Sequence, residues 1–203
     1  MDEIILLGSG GHARSCIDVI EQEDRFRIAG LVEQDGSNAD HNLGYPIVGV
    51  DDDLEILRKK YTYALVTVGH IKSPETRIKI YKILKTFEYQ LPIVISPSAY
   101  ISKHTEINEG TIIMHGAIVN AGAVIANNCI INSKALIEHD AIIGNHSHIA
   151  TGAIVNGGVS VGSESFIGSG VVTKQYISIG NNCSVGAGVT LKSDVKSGQV
   201  IIN

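Results

Sequence analysis

The residues best suited to chemistry in this chain are histidines, and one of them stands between two carboxylates. The 203 residues contain eight histidines, and His139 lies in the segment Glu138-His139-Asp140. An imidazole ordinarily titrates near neutral pH, and a neighbouring carboxylate can orient it and stabilise its protonated form. We therefore predict that His139 acts as a general base with Asp140 as its partner. The alternative is a solvated surface histidine without a role.

A glycine-rich loop near the start of the chain is the second candidate site. Gly8 to His12 (GSGGH) separates an apolar run from a helical pattern. Because glycines let backbone N–H groups approach a ligand and a helix N-terminus favours negative charge, we expect contact with a nucleotide or nucleotide sugar. Ala13 replaces the last glycine of the dinucleotide fingerprint, which disfavours NAD, and a tight turn without a ligand is the other alternative. Further contacts are expected after the next two strands, at Glu33, Gln34 and Gly69.

The elements around this loop alternate between strands and helices. Strands are predicted at Glu3 to Leu7, Arg27 to Val32 and Tyr63 to Val68, and the last helix carries Ile78, Tyr81 and Leu84. Such alternation predicts a small α/β domain with a parallel sheet. Pro92 and Pro97 follow it, and we place the domain boundary near Leu91.

A six-residue repeat organises the rest of the chain. From Ile101 to Leu191 every sixth residue is Ile, Val or Leu, with Thr173 as the exception. No helix has a period of six and a strand alternates at two, so the repeat predicts a parallel β-helix with short flat sides. About five turns would make a prism about 25 Å tall. Such prisms are used largely by acyltransferases, and their exposed faces lead us to expect a homo-oligomer.

Other histidines of the repeat segment admit two interpretations. His148 could hydrogen-bond a thioester carbonyl or be purely structural. No two histidines in this segment are five residues apart, so the spacing does not predict a metal site. Cys129 and Cys183 stand at small-residue positions of the repeat, where buried structural thiols are expected.

Composition narrows the classes of function. The net charge of −5 and an aromatic content of 5% argue against broad nucleic-acid binding. No apolar run reaches the about 18 residues of a membrane span. Met1-Asp2-Glu3 lacks the basic start of a secretory signal, so a cytoplasmic location is expected.

Several segments together resemble a known family. They are the glycine loop with Ala13, Gly44 to Gly49 (GYPIVG), Asp51 to Leu54, Ile137 to Asp140, and His148 to Ala153 (HIATGA). In combination they resemble the NeuD/PglD-like sugar acyltransferases. The resemblance implies a small Rossmann-like nucleotide-sugar-binding domain at residues 1–90 and a left-handed β-helix at residues 91–203. It also implies a homotrimer with acetyl-CoA bound between neighbouring β-helices.

The resemblance implies a role for individual positions. His139 matches the general base, Asp140 the carboxylate beside it, and His148 a position near the acetyl thioester. The positions that would line the coenzyme A cleft are Gly157, Gly168, Gly186 and Ala187. The positions that would approach the nucleotide sugar are Gly8, Ser9, Gly10 and His12.

Two departures from the family pattern change the expected contacts. Glu33-Gln34 stands where many members have Asp-Asp, so base or ribose contacts are expected to differ. Val200 to Asn203 stands where members commonly have a Gly-x-Pro-Ala segment, so the adenine end of the coenzyme is expected to be held differently.

The sequence therefore predicts an acetyl-CoA-dependent N-acetyltransferase of a nucleotide-linked 4-amino-4,6-dideoxy sugar, for surface glycan synthesis and without a metal. The sugar amine would attack the thioester directly. O-acetylation of sialic acid or a related sugar is the nearest alternative, because the motifs do not separate the two. A non-catalytic scaffold or binding module on the same prism is a third possibility.

Overall fold

The N-terminal part is an α/β unit in which a five-stranded sheet carries the glycine loop. A computed structural model describes residues 1–34 and 41–202. The strands are β1 (Asp2–Leu7), β2 (Phe26–Glu33), β3 (His41–Asn42), β4 (Tyr45–Val50) and β5 (Tyr63–Val66). The helices are α1 (Gly11–Glu23), a 3₁₀ turn (Asp51–Asp53), α2 (Leu54–Leu57) and α3 (Glu75–Thr86).

The strand order β3-β4-β2-β1-β5 places the glycine loop at the switch point of the sheet. β1 pairs in parallel with β2 on one side and with β5 on the other, while only the short β3 runs antiparallel, to β4. In such sheets a crevice opens where the connections leave in opposite directions, at the carboxyl ends of the strands. The loops after β1, β2 and β5 therefore meet at one edge.

One detail of these elements differs from the pattern read from the sequence. β5 ends at Val66, two residues early, and the Thr67 hydroxyl donates to the carbonyl oxygens of Leu7 and Gly8. Helix α3 contains Ile78, Tyr81 and Leu84 as predicted, and it buries Arg77, Ile80 and Leu84 while Ile78 and Tyr81 are half-buried.

The rest of the chain winds as a left-handed parallel β-helix of triangular section. Each strand pairs with the strand 18 residues on, for example Ile118 with Leu136, so three hexads make one coil. The docked face, which packs on the α/β unit, consists of Val94–Ile95, Ile112–Ile113, Ile130–Ile131, His148–Ile149, Phe166–Ile167, Ser184–Val185 and Val200–Ile201. The apolar face consists of Tyr100–Ile101, Ile118–Val119, Leu136–Ile137, Ile154–Val155, Val172–Thr173 and Thr190–Leu191. The mixed face consists of Glu106–Ile107, Val124–Ile125, Ile142–Ile143, Ser160–Val161 and Ser178–Ile179.

The sixth-residue positions form the interior of the prism, as the repeat predicts. A single cluster of buried residues runs from Ile113 to Val195 and includes Cys129 and Cys183. Thr173, the exception in the repeat, is also buried, and its hydroxyl accepts a hydrogen bond from the N–H of Asn156 at 2.9 Å. The polar residue is therefore tolerated in the stack because a backbone donor pairs with it.

The α/β unit and the prism share apolar packing. Ile17 and Ile20 of α1 belong to the same buried cluster as Val94, Ile112 and Ile130 of the docked face. The structure changes from α/β elements to coils between the bridge at Gln90 and the strand that begins at Val94. The division into domains at residue 91 stays a prediction, since the cluster crosses it.

The outward side of the apolar face carries a column of hydrophobic side chains. Its members are the first residues of successive strands: Tyr100, Ile118, the half-buried Leu136, Ile154 and Val172, and a polar residue, Thr190, at the C-terminal end. Tyr100 and Ile118 are 59% and 40% exposed. An exposed apolar column of this length is unusual on a monomer and is typical of a surface that associates.

Candidate functional site: a cleft in the sheet and a histidine on the prism

The cleft at the carboxyl edge of the sheet contains most of the residues predicted to contact a substrate. It encloses about 490 Å³. Its lining includes Gly8, Ser9, Gly10, Gly11, His12, Glu33, Thr67, Val68, Gly69 and Ile71. Gln34, the remaining predicted residue, lines an adjoining cavity of about 300 Å³ together with Asp51, Thr76 and Lys79. A cleft of this combined size is large enough for a small-molecule ligand.

The first glycine of the loop is required by close packing. Gly8 has a φ of +105°, and a Cβ at this position would lie 2.6 Å from the Val68 side chain. The loop after β1 thus lies directly against the loop after β5. Side chains other than hydrogen would separate the two walls of the cleft.

Side chains of the α/β unit hold the glycine loop in place. Glu33 accepts a hydrogen bond from the N–H of Ser9, and Asn42 donates one to the Ser9 carbonyl oxygen. Arg14 in turn donates to Asn42 at 3.2 Å. Glu33 therefore already occupies one loop amide, whereas the start of α1 has no side-chain cap. The first amides of α1 are the groups best placed to receive an anionic ligand.

His139 stands on the corner between the apolar and mixed faces, with its side chain half-exposed. Its Nδ1 lies 2.9 Å from Asp140 Oδ2. Since an ionised carboxylate only accepts, Nδ1–H is the donor and Nε2 keeps its lone pair. The pair therefore leaves Nε2 as a basic nitrogen beside Gly157, and such a nitrogen is what general-base catalysis needs.

Glycines in the coils on either side leave room for this pair. A Cβ on Gly157 would lie 2.5 Å from His139 Nε2, and a Cβ on Gly122 would lie 2.3 Å from Asp140 Oδ1. Asp140 itself has a φ of +57°, a left-handed conformation that few non-glycine residues adopt. The corner is thus shaped for the imidazole and the carboxylate, and Gly157 touches the predicted base directly.

Glu138 and a residue that the sequence did not single out, Asn120, complete this corner. Asn120, one coil earlier, donates to Glu138 Oε2 at 3.0 Å, and the same oxygen accepts from the His139 N–H at 3.3 Å. The 18-residue spacing of Asn120 and Glu138 was the available signal, because that spacing stacks residues on one corner.

His148 lies elsewhere, on the docked face, and is only 6% exposed. Its Nδ1–H donates to the His70 carbonyl oxygen, and its Nε2 accepts from Asn132 at 3.0 Å. Burial lowers the pKa of His148 to about 4, which keeps the ring neutral. Both ring nitrogens therefore have protein partners, as a structural role requires, and a thioester contact stays a prediction.

The other positions predicted to line a coenzyme cleft lie on a second corner. Gly168, Gly186 and Ala187 are between the docked and apolar faces, towards the C-terminal end. A Cβ on Gly168 would lie 2.5 Å from the Val185 carbonyl oxygen, so this glycine is needed for the stacking of successive coils. Gly157 and these three residues thus border opposite edges of the apolar face.

The histidine corner and the cleft are on different sides of one chain. The α/β unit packs on the docked face and on both of its corners, through His115 with Asp18 at 2.8 Å and Tyr81 with His146 at 5.2 Å between ring centroids. His139 is on the third corner, opposite that face. A ligand held in the cleft of one chain therefore faces away from the His139 of the same chain.

In residues 1–34 and 41–202, which the structure describes, no cluster of three or more His, Cys, Asp or Glu side chains could hold a metal ion. Nor is any helix there long and apolar enough to cross a membrane.

The chain is similar to known proteins in sequence and in fold. The family model described as the PglD N-terminal domain matches residues 3–84. A comparison with the curated protein sequences found no match.

Several solved structures have the same fold over their whole length. The acetyltransferase domain of PglB from Neisseria gonorrhoeae, solved in complex with acetyl coenzyme A, is 26% identical with a TM-score of 0.90, covering 98% of this chain and 94% of that one. PerB from Caulobacter crescentus, solved in complex with CoA and GDP-perosamine, is 29% identical with a TM-score of 0.89, covering 97% and 91%. WeeI from Acinetobacter baumannii, at 21% identity and a TM-score of 0.88 with 100% and 97% covered, shows the fold alone.

Three findings agree with one another. The family model matches the N-terminal part, both parts have the fold of these solved structures, and the cleft coincides with the glycine loop. These findings support the NeuD/PglD-like sugar acetyltransferase family that the sequence motifs resemble.

Proposed function

We propose that this protein is an acetyl-CoA-dependent N-acetyltransferase of a nucleotide-linked 4-amino-4,6-dideoxy sugar, working in surface glycan synthesis. The single observation that carries the proposal is the half-exposed His139–Asp140 pair, in which Nδ1 is held by the carboxylate and Nε2 lies beside Gly157. The similar structures of PglB with acetyl coenzyme A and of PerB with CoA and GDP-perosamine support the donor and the class of acceptor.

The chemistry is a direct transfer. The neutral amine of the sugar attacks the thioester carbonyl, His139 Nε2 accepts the amine proton, and the C–S bond breaks to release the coenzyme as its thiolate, which the proton then neutralises to the thiol. Asp140 stabilises the imidazolium that forms. Backbone N–H groups of the coil stabilise the oxyanion of the tetrahedral intermediate. Neither a covalent enzyme intermediate nor a metal takes part.

The nucleotide end of the acceptor is assigned to the cleft of the α/β unit. The first amides of α1 and the glycine loop bind the diphosphate, and Glu33 and Gln34 contact the ribose or base. The carboxylates of Glu33 and Asp51 lie near the expected position of the ribose and base. They repel the negative diphosphate, which therefore lies on the side of Gly10 and His12.

The active unit is a homotrimer with sites between subunits. Two observations support it: the exposed apolar column on the prism, and the placement of the cleft and His139 on different sides of one chain. Acetyl-CoA then lies along the apolar face between two subunits, between His139 with Gly157 on one corner and Gly168, Gly186 and Ala187 on the other. The protein acts in the cytoplasm, where nucleotide sugars and acetyl-CoA are made.

The test is thiol release from acetyl-CoA with a panel of UDP-, GDP- and dTDP-linked 4-amino-4,6-dideoxy sugars and free sialic acid, with products identified by mass spectrometry. A single acetyl group gained by one nucleotide amino sugar is the expected result. Acetylation of sialic acid alone would contradict it in favour of O-acetylation. Inactivity together with no acetyl-CoA binding would leave the scaffold alternative.

The base is tested by replacing it. For His139→Ala we expect kcat to fall by about 10²- to 10⁴-fold, the usual contribution of a general base, with the KM for acetyl-CoA nearly unchanged. His104→Ala, at an exposed histidine of the same prism, is the control. Full activity of His139→Ala would contradict the mechanism.

A further inference from the structure

A buried arginine with no acidic partner joins the cleft to the prism. Arg77 on α3 is 1% exposed, and no carboxylate of the described residues forms an ion pair with it. Burial lowers its pKa to about 10, so the guanidinium remains charged at neutral pH. Burying an unpaired charge is expensive, and an apolar side chain at this helix position would avoid the cost.

The guanidinium donates hydrogen bonds to backbone carbonyl oxygens in two different parts of the molecule. Nη1 donates to the carbonyl oxygens of Val66 at 2.8 Å and Val68 at 2.9 Å. Nε donates to the carbonyl oxygen of Asn128 at 3.1 Å. Asn128 is a fully buried corner residue of the prism with a φ of +56°. One side chain therefore ties the end of β5 to a fixed point of a coil.

The residue between the two bound carbonyls continues the connection to the glycine loop. Thr67 follows Val66 and lines the cleft, and its hydroxyl donates to the Gly8 carbonyl oxygen at 2.7 Å. Val68 lies so close to Gly8 that a Cβ on Gly8 would be 2.6 Å from the Val68 side chain. A shift of the two carbonyls would therefore move Thr67, and with it the wall formed by Gly8.

A second crossing to the prism lies at the end of the same loop. The His70 carbonyl oxygen accepts from His148 Nδ1–H of the docked face. Residues 66–70 are thus bound to the prism at both ends, by Arg77 at one and His148 at the other. Each bond fixes backbone rather than a side chain, so the loop conformation itself is specified.

We propose that Arg77 is a positioning residue for the nucleotide half of the substrate: it fixes residues 66–69 on the prism so that the cleft keeps the shape that binds a nucleoside diphosphate. This inference rests on the proposed function, because it takes the cleft to be the nucleotide site. Arg77 touches no substrate atom and acts through Thr67 and Gly8.

The test compares binding of two ligands by calorimetry, with UDP, GDP and dTDP as one set and acetyl-CoA as the other. For Arg77→Gln we expect affinity for the preferred nucleoside diphosphate to fall about tenfold to hundredfold, as for loss of charge-assisted hydrogen bonds. Acetyl-CoA affinity and oligomer size should be unchanged. Arg77→Lys keeps the charge but lacks the planar guanidinium. Its affinity for the nucleoside diphosphate should lie between those of the unmodified protein and Arg77→Gln.

Arg58→Gln is the matched control, because Arg58 also donates from Nε to a backbone carbonyl, that of Glu88 at 3.2 Å, but lies outside the cleft. It should bind both ligands as the unmodified protein does. Hydrogen exchange in the absence of ligand supplies a readout that does not depend on binding. The amides of residues 67–70 should exchange faster in Arg77→Gln, and those in the middle of α1 should not.

The outcomes separate this inference from the proposed function. Nucleoside diphosphate binding that is unchanged in Arg77→Gln, or an equal loss for both ligands, overturns the positioning role and leaves the proposed function standing. No nucleoside diphosphate binding by the unmodified protein overturns both. If Arg77→Gln does not fold, Arg77→Lys decides: a selective loss of nucleotide affinity supports the inference, and unchanged affinity overturns it.

Discussion

At the residue scale, the position of His139 depends on neighbouring glycines, whose lack of a side chain leaves room for the ring. The ring lies over Gly157 of the next coil, and Asp140 lies over Gly122 of the previous one. Because coils stack in register, the shape of the corner is decided 18 residues away in either direction. A base on such a corner depends on small neighbours as much as on its own carboxylate.

A methyl group at Gly157 should displace the base. For Gly157→Ala we expect kcat to fall by about 10²-fold, since a shift of about 1 Å in a reacting group can cost that much. Steady-state kinetics checks this. Gly198→Ala, at a position where a Cβ would meet nothing within 4 Å on a different corner, should lose some stability from its positive φ but keep kcat. Unchanged kcat in Gly157→Ala would mean that the observed ring position is not the catalytic one.

At the element scale, Thr173 departs from the hexad repeat, and a hydrogen bond of its hydroxyl compensates for the departure. At Thr173 the hydroxyl, rather than a backbone oxygen, accepts the Asn156 N–H, and Asn156 Nδ2 donates to the Thr173 carbonyl oxygen. The neighbouring coils use backbone acceptors at the equivalent place, as in Glu138 N–H to Val155 O. The repeat alone would favour valine here.

Thr173→Val should therefore destabilise the protein although it restores the repeat. It leaves a buried N–H without its acceptor, for which we expect a loss of about 1–3 kcal/mol in the free energy of unfolding. Urea unfolding measures it. Thr173→Ser keeps the hydroxyl and should stay closer to the unmodified protein. A gain in stability for Thr173→Val would show that the hydrogen bond contributes less than the apolar packing.

At the scale of the whole molecule, neutral histidines lie between the α/β unit and the prism. Burial lowers the pKa of His12 to about 3 and of His70, His146 and His148 to about 4, from an ordinary value of 6.5. Below pH 6.5 the unfolded chain binds protons at these four histidines, whereas the folded protein keeps them neutral until the pH approaches their lowered pKa values. Their contribution to stability is therefore fully present above pH 6.5 and is lost as the pH falls towards 4.

We expect the free energy of unfolding to fall as the pH is lowered from about 6.5 to about 4.5. His70→Asn should reduce this slope by up to about 1.4 kcal/mol per pH unit, the value for one proton. Urea unfolding across this range measures the slope, and His104→Asn, at an exposed position, is the control. A slope equal to that of the unmodified protein would contradict the neutral state of His70 in the fold.

Association through the apolar face is the second prediction at this scale. For Ile154→Glu, in the middle of that face, we expect the proposed trimer not to form, because burying an unpaired carboxylate in an interface is costly. Activity should be lost while the circular dichroism spectrum is kept. Light scattering coupled to gel filtration gives the mass. Ser160→Glu on the mixed face is the matched control, and a Ile154→Glu variant of unchanged mass would place the interface elsewhere.

The elements that depend on local periodicity could be predicted from the residues alone. The hexad repeat predicted the β-helix, and the apolar run with Gly8 to His12 predicted a strand, a loop and a helix start. These follow from short-range physics: a six-residue period has only one regular solution, and a glycine loop between strand and helix has few. The residues of the cleft could also be predicted, because strand ends in a parallel sheet share one edge.

The way in which the α/β unit and the prism face one another could be read only from the folded molecule. Nothing in the local pattern around Arg77 predicts a buried cation in a helix, because its partners are carbonyl oxygens at Val66, Val68 and Asn128, far away in the chain. The burial of His148 and the exposure of His139 likewise depend on which face of the prism the α/β unit covers. All three faces share one period, so the repeat could not distinguish them, and the choice came from apolar packing between the two parts.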